Sequence, residues 1–159
     1  MTFAEYIEQL AKEHIHVRHS SEECHFSDMT TNNANKLVRQ MHYPCIAIDT
    51  DGFSLLGASD MFLSNDVYNI YFLTHVRDTG SEAEKQQALT ITRDIMNDFI
   101  GRMSLDKRSL NKVVSRIDLT DADGIPIVFK DIALYGWCLT ISCPTLIPPH
   151  TCNNHFITE

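Results

Sequence analysis

Residues 81 to 103 read SEAEKQQALTITRDIMNDFIGRM, the segment that most narrows what this chain can fold into. Ser81 followed by Glu84 makes a capping box, a helix start in which each residue satisfies the other's free backbone N–H. Ala88, Ile91, Ile95, Phe99 and Met103 then recur at helical spacing, flanked by Leu89, Met96 and Ile100. The spacing predicts a helix over 82–103. Its apolar side is too wide to stay in water, so it must lie across another layer.

Strands on either side supply that layer. "ALYGWCLTISC" (133–143) alternates Tyr135, Trp137, Leu139 and Ile141 with Gly136, Cys138, Thr140 and Ser142. "VYNIYFLTHV" (67–76) carries bulk on both faces, which places it centrally in its sheet. "PCIAIDTDGFSLLG" (44–57) is a third strand, with Ile46 and Ile48 on one face and Cys45 and Ala47 on the other. "VVSRIDLTDADGIPIVF" (113–129) reads as two more strands around the turn "DADG". Upstream, Thr2 and Glu5 open a helix over about 3–15. Thr30 and Thr31 offer a cap for a second over about 32–42, which Tyr43-Pro44 ends. The order is helix, helix, strand, strand, long helix, three strands. This predicts an α+β fold: a mainly antiparallel sheet backed by the long helix, with two N-terminal helices. Residues 1–143 form one domain in this reading, and the proline-broken 144–159 an irregular tail.

Composition narrows function by exclusion. The chain has 159 residues, 43% apolar and 21% charged, within the range of one globular domain. Its formal charge is −8, from 13 basic and 21 acidic residues, which is not the electrostatic footprint of a nucleic-acid binder. The best basic run, "DKRSLNK" (106–112), reads as a solvated helix end. No stretch reaches the ~18 apolar residues of a membrane span, and the acidic amino terminus does not resemble a secretory signal. A cytoplasmic protein without nucleic-acid or membrane partners is expected. Five cysteines at irregular spacing, with Cys45 and Cys138 inside apolar runs, read as reduced thiols.

The most chemically suggestive stretch is "HIHVRHSSEECH" (14–25), with His14, His16, His19, Cys24 and His25. In an extended chain His14 and His16 share a face, and Cys152 and His155 in the tail could add ligands. Yet the spacing fits no structural zinc pattern, and zinc requires a converged tetrahedral set. The stretch therefore reads as a connector that titrates near neutral pH, with metal ligation as the competing reading. "DTDG" (49–52) and "DLTDADG" (118–124) fail as EF-hand loops. Position six from Asp49 is Ser54 rather than glycine, and position twelve from Asp121 is Ile132 rather than glutamate. Both read as turns between strands. There is no nucleophile motif and no phosphate-cradling glycine loop, so no catalytic, cofactor-binding or metal residues are assigned. "SDMFLSNDV" (59–67) reads as an acidic loop whose Met61, Phe62 and Leu63 suggest a contact surface.

Four segments carry a family resemblance: "YPCIAID", "YNIYFLTHV", "QQALTITRDIMNDFIGRM" and "LYGWCLTIS". From about 43 to 143 the chain resembles small proteins of tailed bacteriophages and prophages of the Bacteroides type. Through them it is similar to the tail-terminator, or tail-completion, group at the head–tail junction. That resemblance implies a non-enzymatic α+β virion-assembly protein, homo-oligomeric as a ring, with tail-tube or connector proteins as partners. It also implies a location in the bacterial host cytoplasm or the virion. An α+β protein-interaction module is the remaining alternative.

Overall fold

The computed structural model describes residues 1–29, 40–58, 61–77, 79–109, 113–115 and 117–146. The described elements, in chain order, are α1 (Phe3–Glu13), β1 (Phe26–Asp28), β2 (Cys45–Ala58), β3 (Met61–His75), α2 (Glu82–Arg108), β4 (Asp123–Phe129) and β5 (Leu134–Leu146). A single 3₁₀ turn, Lys130–Ile132, links the last two. The strands form one sheet in the order β1-β2-β3-β5-β4, antiparallel except for the short β1–β2 pair. The fold is broadly α+β. The expected helix over 32–42 falls almost wholly outside the described residues, as does the tail beyond 146.

Both capping boxes form. The Thr2 hydroxyl accepts the Glu5 N–H, and the Ser81 hydroxyl accepts that of Glu84. Both helices pack on the same face of the sheet. There Phe3, Ile7 and Leu10 of α1 and Ile95, Phe99 and Met103 of α2 meet Ile46, Ile48, Ile70, Phe72, Leu139 and Ile141. Register explains the selection, since Ile46 pairs with Phe72, and Ile48 and Leu139 flank Ile70. Each of these strands therefore gives the helices every second side chain. The reverse face holds a smaller cluster around Cys45, Leu73 and Leu134.

Several expectations are corrected. Ile91 does not join the core stripe of α2; it is 42% exposed, and fully buried Thr92 takes the inward place. The Thr92 hydroxyl donates to the Ala88 carbonyl at 2.8 Å, so a polar residue sits in the core with its hydrogen bond made within the helix. The described residues of 113–119 form no strand. Val114 and Ile117 are buried among turns, and Asp118 accepts both the backbone N–H and the hydroxyl of Thr120, a local bond that displaces ladder pairing. "DTDG" is not a turn between strands but lies inside β2, where the register slips between Thr50 and Gly52. Gly52 has φ 122°, a backbone state that only glycine adopts easily. Met61, Phe62 and Leu63 belong to β3 rather than a loop, and β5 runs through Leu146, three residues into the expected tail.

Candidate functional site

The histidine stretch follows the last turn of α1, and three of its imidazoles, those of His14, His19 and His25, are engaged one by one, while His16 is exposed. The His14 backbone N–H caps the helix on the Leu10 carbonyl. Its ring Nδ1 accepts the His16 backbone N–H at 3.2 Å, which puts the ring proton on Nε2, 3.2 Å from the Asp98 carboxylate of α2. His19 repeats the arrangement: Nδ1 accepts the His25 N–H at 3.1 Å, and Nε2 lies 3.6 Å from Glu8. Burial holds the His19 imidazole below its usual pKa, against the pull of Glu8. His25, itself buried, donates from Nδ1 to the Pro44 carbonyl at 2.8 Å, and the Cys24 thiol donates to the Phe26 carbonyl.

These rings staple a connector, tying α1 to β1, β2 and α2. Among the described residues no three His, Cys, Asp or Glu side chains converge as a metal site. Cys152 and His155 lie outside the described residues. In the basic run 106–112, Asp106 and Lys107 are engaged by the fold while Arg108 stays exposed. Asp106 accepts from the Tyr6 hydroxyl at 2.7 Å and from Arg102, and Lys107 donates to the Ile117 carbonyl. Cys45 is buried at the start of β2, and burial pushes its thiol up to about 12, far from the thiolate that reactive cysteines require. Among the described residues no helix is long and apolar enough to cross a membrane.

What the sequence showed only in part is an arm: the strand read over 44–57 covers its β2 limb, while its β3 limb was read as a loop. Beyond the Thr50–Gly52 bulge, β2 continues to Ala58 and pairs with β3 from Val67 back to Met61; β5 adds its last residues alongside. Eight strand residues span roughly 25 Å. Neither apolar cluster includes a side chain from residues 51–55 or 64–66. Phe53 and Leu55 stand 68% and 58% exposed on one face of the arm, opposite Asp66 and Ser64. β1 covers the outer edge of β2 only from Ile46 to Ile48, and no described strand pairs with that edge from Asp51 onward. The edge from 51 to 58 holds no proline and no basic residue, the usual guards against strand addition. β4, at the opposite edge, has seven residues with Pro126 in their middle and a 3₁₀ turn closing its end.

Two adjoining clefts mark the flank where α1 ends against α2. One, of ≈ 240 Å³, lies between His14, Ile15, Asp98 and Arg102. The other, of ≈ 400 Å³, lies between His16, Pro44, Ile91 and Asp94 and shares Asp98. Neither brings together a nucleophile and a free base: the His14 ring in the first is bound at both nitrogens. A scan of protein-family models finds no match to this chain, and a search of curated proteins finds none either.

Proposed function

We propose that this protein is a non-enzymatic assembly subunit of a phage or prophage particle. In this reading it is a tail-terminator-like component of a homo-oligomeric ring at the head–tail junction. The observation that carries the reading is the arm: a strand edge without proline or basic residues beyond its bulge, unpaired by any described strand and bearing exposed Phe53 and Leu55. An edge of this kind is an aggregation liability unless a neighbour covers it, and a repeating neighbour makes it an interface. The α+β layout and the resemblance of 43–143 agree with this use. Its partners are further copies of the chain and the tail-tube or connector proteins, in the host cytoplasm or the virion.

Light scattering coupled to size exclusion tests the proposal. The full chain at micromolar concentration is expected to run as a multi-subunit species, and Phe53→Ser with Leu55→Ser is expected to reduce it to a smaller one that still melts cooperatively. A wild-type monomer throughout the micromolar range would overturn the ring reading and leave the interaction module in its place.

A further inference from the structure

One flank of α2 is complementary to itself. Ile91, Asp94, Asp98, Arg102 and Leu105 fall within an arc of about 80° at 100° per residue, next to the face that enters the core. All five are exposed, Ile91 by 42% and Leu105 by 58%, both high for large apolar side chains on a helix. The spacing is symmetric about Asp98. Ile91 and Leu105 each lie seven residues from it, and Asp94 and Arg102 each lie four. An antiparallel copy of α2 with its two-fold axis at Asp98 therefore sets apolar Ile91 against apolar Leu105, and acidic Asp94 against basic Arg102. Each pairing occurs twice, as an isologous contact requires.

We infer that this flank is the docking surface for a second copy of the same chain, joined through α2 in an antiparallel two-fold dimer. The clefts suit that occupant. The one lined by His16, Pro44, Ile91 and Asp94 lies where the second copy's Leu105 arrives, with Ile95 at its base. Asp94 has no hydrogen-bond or ion-pair partner among the described residues. Arg102 contacts Glu13 at 3.3 Å and Asp106 at 3.1 Å, yet stays half exposed with a five-donor fork. Gly101 beside the stripe has no atom within 4 Å of where a Cβ would stand, so the backbone there is open to close approach. The two Asp98 carboxylates meet at the axis, a repulsion eased by the His14 ring 3.2 Å from each.

This contact does not depend on the arm. A ring built through the arm and a two-fold built through α2 would together give dihedral symmetry, two rings back to back, where the two axes cross at right angles.

The test runs in full-length protein carrying Phe53→Ser and Leu55→Ser, so that arm pairing does not contribute. Sedimentation velocity over roughly 10–500 µM is expected to show a monomer–dimer equilibrium, as suits a contact of one helix flank. Ile91→Lys and Leu105→Glu are each expected to weaken it by about tenfold or more. Combined in one chain, the two substitutions set an introduced ammonium against an introduced carboxylate of the second copy, and are expected to recover much of the loss. Both positions are exposed, and thermal melts followed by circular dichroism check that each variant folds. Absence of a dimer across that range overturns the inference, as does a dimer indifferent to Leu105→Glu or a double variant weaker than either single one. None of these results bears on the arm, whose own test is the large species formed by the wild type.

Discussion

Strands β2, β3 and β5 each pass through two environments, and the boundary is the bulge at Thr50–Gly52. On the body side, Ile46, Ile48, Ile70, Phe72, Leu139 and Ile141 point under two helices and are at most 1% exposed. On the arm side the same ladders continue, but Phe53 and Leu55 meet solvent. Ladder pairing thus continues past the described core side chains, in a sheet that the core already holds in register. The body adds contact with two helices, and a substitution should cost whatever its region contributes.

The largest contrast lies between two glycines. Gly136 sits in β5 opposite Leu73, and a Cβ built there falls 1.8 Å from the Phe72 carbonyl oxygen and 2.9 Å from its carbon. Both are backbone atoms of a central strand with helices on one side, so they cannot yield without parting the β3–β5 ladder. Gly136→Ala should cost about 3 kcal/mol or more, and lower the melting temperature by about 10 °C. A variant within a few degrees of wild type would mean that the two strands separate easily, and the contrast with the arm would fail.

Gly52 tests the other side. A Cβ there meets nothing within 4 Å, but its φ of 122° strains any side-chain-bearing residue. Gly52→Ala should cost about 1–2 kcal/mol. Unlike Gly136→Ala, the loss should be confined to the arm: faster amide exchange in residues 51–58 and 64–66, with body amides unchanged. Equal loosening of both regions would show that bulge and body open as one unit.

Much of the body was legible in the sequence because its signals are redundant. α2 announces itself by a capping box and a long stripe, and β5 by strict alternation around Trp137, whose indole N–H donates to the Leu89 carbonyl of α2. Ile91 was misread because an apolar residue beside the stripe is indistinguishable from one within it. The hydroxyl of Thr92 hid a core position until its bond to Ala88 was visible. β1 has three residues, too few for any period, and lies within a residue of the histidine stretch. The arm was legible only in its β2 limb, which the strand over 44–57 covers, and the rest escaped for a different reason. "DTDG" looks like a turn when it is a bulge, and an acidic stretch rich in serine and aspartate looks like a loop when its partner strand is unknown. Register is a property of pairs, and one strand's sequence does not carry it.

The smallest effect concerns the connector, and it separates the two regions by pH. The described part of the arm contains no histidine, whereas the body is stapled by His14, His19 and His25. Burial lowers the His19 pKa below 6.5 in the folded chain, so the unfolded chain binds more protons between that lowered value and 6.5. The His19 contribution to stability is therefore complete above 6.5 and is lost as the pH falls through this window. The geometry agrees, because protonating Nδ1 would set an N–H against the His25 N–H it now accepts. Denaturant midpoints should fall between pH 7.5 and pH 5.5, while the opening free energy of arm amides stays level. His19→Asn keeps an acceptor near the His25 N–H and removes the titration, so its midpoint should fall less over the same interval. An unchanged slope in that variant would move the pH sensitivity to another imidazole and remove His19 from the distinction between body and arm.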